Sequence, residues 1–263
     1  MILMHTQTRP IGDLLREWRQ HRRLSQLALA LDAGISTKHL SFLETGRSRP
    51  SRDMLLHLAE LLGVPLRERN ALLQAAGFAA LYPQHALSDP EMRAARQAME
   101  TILAAHDPYP ALAVDRHWTI VAANQATHRL LAATVAPHLL APPANALRAS
   151  LHPEGLAPHI ANLPAWRGHI LARLRQQIAA TADPALSDLL QELAAYPGGT
   201  DHPSPTDSGL VVPLQLRLGD QILSLFGTIT VFGTPVDITL AELALEAFYP
   251  ADEATAAVLR GMK

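Results

Sequence analysis

Residues 24–50, with the sequence LSQLALALDAGISTKHLSFLETGRSRP, constrain the fold more than any other part of the chain. Ser25 precedes an apolar-periodic run and is a good N-cap for a helix that begins at the next residue. Gly34 supplies the left-handed backbone that ends this helix, and Ser36 caps a second one. Ala30 is small enough to let the two helices cross closely. The segment therefore predicts two short helices that meet at a steep angle.

The second of these helices has an inward and an outward face. Leu40 and Leu43 lie three residues apart and point to the core. The residues left facing outward are Thr37, Lys38, Ser41 and Phe42. A helix held in this way by its partner can enter the major groove of DNA. The outward face is therefore predicted to contact double-stranded DNA.

The spacing of Gln26, Ala30, Gly34 and Leu40, followed by Phe42-Leu43-Glu44-Thr45-Gly46, resembles the helix-turn-helix of the Cro and phage-repressor family, or XRE-type regulators. The resemblance covers residues 11–76 and implies an all-α, five-helix, DNA-binding domain of repressor type. By this resemblance, the side chains expected to hold phosphates are Gln26, Arg47, Ser48, Arg49 and Arg52. The residues that fall on the DNA-reading helix and its cap are Ser36, Thr37, Lys38, Ser41 and Phe42, of which Thr37, Lys38 and Phe42 fall where the family reads base edges.

Three side chains of this region carry separate expectations. Phe42 departs from the glutamine that some phage repressors have at its place, which predicts either apolar contact with a thymine methyl group or simple packing. Glu44 and Arg19 fall where such repressors form a partly buried ion pair. Both are therefore predicted to be structural, so their loss should affect folding before recognition.

Caps and periodicity divide the chain into two domains. The predicted N-terminal helices are Ile11–Arg23, one from Gln26, one capped by Ser36, Arg52–Leu62, which is capped by Ser51, and Pro65–Gln74. Gly77 ends this compact unit, so a helix-turn-helix domain is predicted over residues 1–77. Residues 78–90 contain two prolines and few periodic apolar residues, which predicts a linker. The second domain is then predicted over residues 91–263.

Composition excludes several classes of protein. The chain contains no cysteine, which excludes disulfides, zinc fingers and thiol catalysis. No apolar run approaches a membrane span, and residues 1–10 lack the basic start and apolar core of a signal peptide, so a cytoplasmic protein without membrane contact is expected. Residues 1–76 hold 11 Lys and Arg against 7 Asp and Glu, whereas residues 77–263 hold 11 against 17. A basic head on an acidic body is consistent with DNA bound at one end.

The second domain mixes strands and helices. The predicted elements are a hairpin over residues 111–122, helices over 124–133, 163–181 and 184–196, strands from Val212 through a Gly219-Asp220 turn to Val231, and a closing helix, Thr239–Phe248. Alternation places one set of apolar residues on a single buried face: Leu214, Leu216, Leu218, Leu223, Leu225, Ile229 and Val231. The pattern predicts an α+β domain with an antiparallel sheet covered on one side.

Three segments of this domain carry a second resemblance. YPALAVDRHWTIVAANQATHRLL, NLPAWRGHILARLRQQ and FGTITVFGTPVDITLAELALEAFYPADE are similar to the MmyB-like transcription regulators, and with the N-terminal domain the resemblance covers essentially the whole chain. It implies a PAS-like C-terminal domain that encloses an apolar pocket and binds a regulatory ligand. A fatty acid or another small apolar metabolite is the expected ligand, and no cofactor is implied.

Residues expected to line such a pocket are Trp118, Asn124, His128, His152, Trp166 and His169, because a ligand site is mostly apolar with a few placed polar groups. Each also has a structural interpretation. The two tryptophans are equally typical of a core, and Asn124 lies where a helix cap is expected. The spacing of the histidines matches no metal site, which favours surface or capping roles.

No catalytic motif is present: the chain lacks a Gly-x-Ser-x-Gly elbow, a phosphate-binding glycine loop and an HExxH sequence. Glu242 and Glu246, one helical turn apart in the expected closing helix, are interpreted as a solvated face. Two non-enzymatic functions remain: a regulator whose affinity for DNA changes with a bound metabolite, and a constitutive repressor whose second domain serves only dimerisation. Both predict a homodimer on a palindromic operator.

Overall fold

The structure is a computed structural model that describes residues 9–199, 212–233 and 235–261. Contacts divide the chain into two compact units, one running to Gln84 with residues 179–182, the other holding the remainder from His85. The expectation about a signal peptide concerns residues 1–10, of which the first eight lie outside the described residues. None of the helices in the described ranges is long and apolar enough to cross a membrane.

The first unit is all-α, as predicted. Its five helices are α1 (Ile11–His21), α2 (Gln26–Asp32), α3 (Thr37–Glu44), α4 (Arg52–Leu61) and α5 (Leu66–Ala75). The three predicted serine caps are confirmed, because the hydroxyl oxygens of Ser25, Ser36 and Ser51 accept hydrogen bonds from backbone N–H groups of the first turn at 3.0–3.2 Å. Helix α1 ends two residues before its predicted end. Buried leucines from all five helices form one core.

Gly12 lets α1 cross α3 at close range. A Cβ at this position would lie 2.6 Å from the backbone oxygen of Glu44 and 2.7 Å from that of Leu43. These neighbours are backbone atoms of a helix, so they cannot turn away as the end of a side chain can. The crossing therefore fixes how α3 is held by the first helix.

The chain after Gln84 forms an α+β fold, which is the predicted class. Its helices are α6 (Arg93–Ala105), α7 (Gln125–Thr134), α8 (Pro137–Leu140), α9 (Ala146–Leu151), α10 (Leu163–Thr181), α11 (Pro184–Ala195), α12 (Ile238–Ala241) and α13 (Glu253–Gly261), with short 3-10 helices at Pro90–Met92 and Ala157–His159. Its strands are β1 (Ala111–Val114), β2 (Ile120–Ala123), β3 (Leu214–Leu218), β4 (Gln221–Val231) and β5 (Ala244–Pro250). The sheet order is β2-β1-β5-β4-β3, and every neighbouring pair is antiparallel. Both predicted hairpins, β1–β2 and β3–β4, are confirmed.

The predicted closing helix over Thr239–Phe248 is wrong. A helix persists there for only four residues, capped by Asp237, and β5 follows as the central strand between β1 and β4. The segment is rich in Ala, Leu and Glu, which favour helix, but pairing on both sides overrides this local preference. The terminal helix is instead α13. Because the predicted closing helix is absent, the interpretation of Glu242 and Glu246 as one solvated helical face is also wrong.

Two further expectations about the sheet need correction. Ile229 and Val231 continue the apolar alternation of β4 but are 50% and 61% exposed. The sheet is also not covered on one side only, because α6 packs on the second face through Met99 and Leu103. All four residues of β1 are consequently buried.

The segment predicted as a linker, residues 78–90, is anchored at two points. The side-chain oxygen of Asn70 accepts hydrogen bonds from the backbone N–H groups of Leu81 and Tyr82 at 2.9 and 3.1 Å. Beyond it, Asp237 Oδ2 accepts from the backbone N–H of His85 at 3.2 Å and lies 2.8 Å from its Nδ1. The segment is therefore held by specific side chains of the unit on which each end lies.

We expect Gly12→Ala to lower the free energy of unfolding of the first unit by about 1–3 kcal/mol, because the added methyl group must displace backbone atoms. Gly168→Ala in α10 is the matched control, since a Cβ there meets no atom within 4 Å. The control should be neutral or stabilising, because alanine favours helix over glycine. Urea unfolding followed by circular dichroism measures both. Equal effects of the two substitutions would contradict the close crossing.

Candidate functional site

The predicted DNA-contacting residues of the first unit lie on α3, at the start of α2 and in the segment after α3. Lys38, Arg47, Arg49 and Arg52 are exposed, as is the cap residue Ser36, while Thr37, Ser41, Phe42, Ser48 and Gln26 are half-buried. The four exposed cations give this part of the unit a surface suited to a phosphate backbone. The buried residues of α3 are Leu40, Leu43 and Glu44. Burial of the two leucines agrees with the predicted inward face.

Phe42 lies between two cations. Lys38 Nζ is 5.6 Å from the centroid of its ring, and the guanidinium carbon of Arg47 is 5.7 Å from it. These are cation–π distances, so the ring and both positive charges are held near one another. The arrangement presents an apolar ring flanked by two positive charges.

Glu44 is the centre of a buried polar cluster. Its side chain is 1% exposed and accepts hydrogen bonds from Arg19 Nε at 2.6 Å and Arg19 Nη2 at 2.8 Å. Gln26 Nε2 also donates to it, at 2.8 Å, and Arg16 Nη2 donates to its backbone oxygen at 2.9 Å. The predicted ion pair between Arg19 and Glu44 is confirmed. It ties α1, α2 and α3 together beneath the exposed face of α3.

The second unit encloses a cavity of about 540 Å³ between the sheet and its helices. Its walls come from all five strands on one side and from α7, α9 and α10 on the other. Apolar side chains that line it include Leu112, Leu130, Leu147, Leu156, Trp166, Ile170, Leu214, Leu225 and Phe248. The volume and the mostly apolar lining fall within the range of small-molecule binding sites in proteins.

A few polar groups interrupt the apolar lining. Ser150 and Thr127 are satisfied locally, because the Ser150 hydroxyl accepts from Trp166 Nε1 at 3.0 Å and the Thr127 hydroxyl donates to the backbone oxygen of Ala111 at 2.8 Å. Arg173 and Glu246 also line the cavity, with Arg173 Nη1 2.5 Å from Glu246 Oε1. The cavity therefore contains one close pair of opposite charges in an otherwise apolar wall.

His169 adjoins this pair. Its ring stacks on Trp166 at a centroid distance of 5.6 Å, although the residue keeps access to solvent. Loss of hydration on the packed side, and then the charge of Arg173, lower the pKa of His169 below its usual value. This shift favours the neutral imidazole, which both donates and accepts a hydrogen bond.

A polar groove adjoins the cavity. His169, Arg173 and Ile229 line both, so they stand at the boundary between the two spaces. The groove also contains Trp118, which has a positive φ of 69°, a strained backbone conformation for a large side chain. Its Nε1 donates to Gln177 Oε1 at 2.8 Å, and the guanidinium carbon of Arg173 lies 4.2 Å from the centroid of its ring.

The structure brings together some of the residues predicted for a ligand site and separates others. Trp166 and His169 line the cavity, and Trp118 lines the groove. Asn124 caps α7 and receives the Thr127 N–H at 3.0 Å, whereas His128 is exposed and His152 packs on Tyr196; none of these three lines the cavity formed by the described residues.

Arg173 and Glu246 are charged cavity residues that the sequence analysis did not assign to a ligand site. Arg173 follows His169 by one helical turn, so the same-face rule that connects Trp166 and His169 would have included it. Glu246 gave no such signal, because its segment has a helical pattern and was assigned to a solvated face.

Two family models match this chain. The one described as MmyB-like transcription regulator ligand binding domain matches residues 95–262, and the one described as helix-turn-helix domain matches residues 10–72. A comparison with curated proteins finds no match. The two matched ranges correspond to the part that contains the cavity and the part that contains α3.

Proposed function

The chain belongs to the MmyB-like transcription regulators, and on this premise we propose that it binds operator DNA through α3 and that a small, fatty-acid-like metabolite in the cavity changes its affinity for that DNA. The enclosed apolar cavity in the ligand-binding domain is the observation that supports a ligand of this class. We propose a role in binding rather than in catalysis, which the match to a ligand-binding domain of transcription regulators supports.

The ligand must favour one arrangement of the protein, because a ligand with equal affinity for two arrangements shifts neither. Mass spectrometry of small molecules released by denaturing the purified chain tests the proposal. A stoichiometric apolar metabolite, whose addition or removal changes DNA affinity, is the expected result. A chain that binds DNA identically with and without every released or added metabolite would instead favour a constitutive repressor whose second domain serves dimerisation.

We further propose that the chain acts as a homodimer on a palindromic operator. Helix α3 has eight residues, so one copy spans few base pairs. A two-fold pair would read two half-sites about 10 base pairs, or a multiple of that, apart. Sedimentation of the full chain with and without selected operator DNA should show a dimer in at least the bound state. Monomers alone under both conditions would count against this arrangement.

The exposed cations are proposed to have two different roles. We expect Lys38→Ala to reduce binding to selected operator DNA by roughly 5- to 150-fold while changing random DNA little, because Lys38 lies on the outward face of α3, where base edges are read. Arg49→Ala should weaken operator and random DNA about equally and reduce the salt slope by about one. Fluorescence anisotropy over a range of salt concentrations separates the two. Identical effects of both substitutions would show that the assigned roles are wrong.

A further inference from the structure

Glu246 is a buried charge with an incomplete set of partners. It lies in the middle of β5, is 9% exposed and lines the cavity. Among the described residues, its Oε1 accepts no hydrogen bond. Arg173 Nη1 lies 2.5 Å away and balances the charge of this carboxylate without completing a hydrogen bond to that oxygen. Buried carboxylate oxygens in proteins nearly always accept a hydrogen bond, so this oxygen calls for a donor.

The Arg173 guanidinium cannot readily turn to supply that donor. It stacks over the ring of Trp118, 4.2 Å from the ring centroid, and Trp118 is itself fixed by its hydrogen bond to Gln177. The guanidinium still carries N–H groups at the boundary between cavity and groove. At this boundary the wall therefore contains an acceptor, Glu246 Oε1, that lacks a donor. Beside it lies a donor group, the Arg173 guanidinium, whose positive charge is balanced by Glu246.

These contacts indicate which polar end of a ligand fits. An ionised carboxylate would meet Arg173 favourably but would be forced close to the carboxylate of Glu246, and like charges repel strongly in an apolar site. A cationic end would be repelled by the positive charge of Arg173. A neutral group that both donates and accepts satisfies Glu246 and Arg173 together without adding a charge.

We propose that the ligand of this cavity ends in a neutral group with a donor and an acceptor, an amide or a hydroxyl, whose N–H or O–H donates to Glu246 and whose oxygen accepts from Arg173. This inference rests on the proposed function, in which an apolar chain fills the cavity. It assigns Glu246 and Arg173 as the residues that select the polar end.

Three probes with the same hydrocarbon chain test the inference: decanamide, decanoate and methyl decanoate. Equilibrium dialysis against the full chain measures each dissociation constant. The buffer is at about pH 7.5, where decanoate is ionised. Decanamide should bind about tenfold more tightly than decanoate and about tenfold more tightly than the methyl ester, which accepts but does not donate. This ranking in the unmodified chain requires no variant.

The variant Glu246→Gln should change the ranking. It keeps the size of the side chain and removes its charge, so Arg173 becomes available to an anion and decanoate should gain at least about tenfold relative to decanamide. Glu242→Gln is the matched control, because it makes the same chemical change on a residue that lines the groove and not the cavity. The control should keep the original ranking.

The possible failures are distinguishable. If all three probes bind but decanoate binds most tightly to the unmodified chain, or if Glu246→Gln leaves the ranking unchanged in a folded protein, the neutral-end inference is overturned and the proposed apolar site stands. If no probe binds up to its solubility limit, the cavity does not take a chain of this kind, and the proposed function fails with the inference.

Discussion

Replacing Glu44 with alanine should lower the free energy of unfolding of the helix-turn-helix unit by about 3–5 kcal/mol, the usual cost of removing one partner from a buried ion pair. Arg19 is itself 9% exposed, so the substitution would leave its charge buried without the carboxylate that accepts from its Nε and Nη2. Gln26 would lose its acceptor as well. A small domain has little more stability than this to lose, so DNA binding should be lost together with the fold.

Urea unfolding and operator binding by the full chain check this prediction. Glu60→Ala is the control, because Glu60 is an exposed glutamate on α4 and its loss should change stability by no more than about 0.5 kcal/mol. If Glu44→Ala retained both stability and operator affinity, the cluster beneath α3 would not be structural.

The same carboxylate should make the stability of this unit depend on pH. Burial alone would raise the pKa of Glu44, but hydrogen bonds from Arg19 and Gln26 and the charges of Arg19 and Arg16 outweigh it, so the pKa is lowered. The stabilisation is thus fully present above the ordinary glutamate pKa and is lost as the pH falls through the lowered value. In Glu44→Gln this part of the acid sensitivity should be absent. Unfolding curves measured between about pH 3 and pH 7, a range that includes the ordinary glutamate pKa, would show this.

Filling the cavity should abolish most of its binding capacity. Gly227 lines the cavity and lies directly opposite Phe248 in the β4–β5 pair, so a side chain at 227 would project on the same face. A Cβ there would be 3.5 Å from the Phe248 ring, an ordinary contact, so the backbone can accept it. We expect Gly227→Leu to fold and to weaken binding of a decanoyl probe roughly tenfold to a hundredfold, because the ligand must then displace packed side-chain atoms.

Thr230→Leu provides the control for Gly227→Leu. Thr230 lies on the same strand and pairs with Leu245, whose side chain belongs to the core on the other face of the sheet. The same residue introduced there should leave probe binding within about twofold, since it cannot reach the cavity. Equal affinities for the unmodified chain and Gly227→Leu, measured by equilibrium dialysis, would show that the ligand binds elsewhere.

The first unit was predictable because its signals are local. Ser25, Ser36 and Ser51 each cap the helix that follows, and periodicity alone assigns Leu40 and Leu43 to the core. The ion pair of Arg19 and Glu44 required more than local pattern, since the residues are 25 positions apart, and the family resemblance supplied it.

The second unit was less predictable because β5 depends on distant partners. Its segment has a helical pattern, and only pairing with β1 and β4 makes it a strand. The same error misplaced Glu246, which was expected on a solvated helix and in fact lies in the cavity wall. Trp166 and His169 were named because a ligand site combines apolar and a few polar side chains, and both line the cavity. Asn124 instead caps α7, which was its alternative interpretation.

Alternation along β5 means that its two faces cannot respond separately to an occupant of the cavity. Glu246 and Phe248 face the cavity, while Leu245 and Ala247 pack in the core that contains Met99 and Leu103 of α6. A slip of one residue would exchange these sets and bury a carboxylate in that core, so β5 is unable to adjust by changing register. Any displacement of β5 by a ligand must move Leu245 with it, and α6, which packs on the far side of the strand, is the helix obliged to follow.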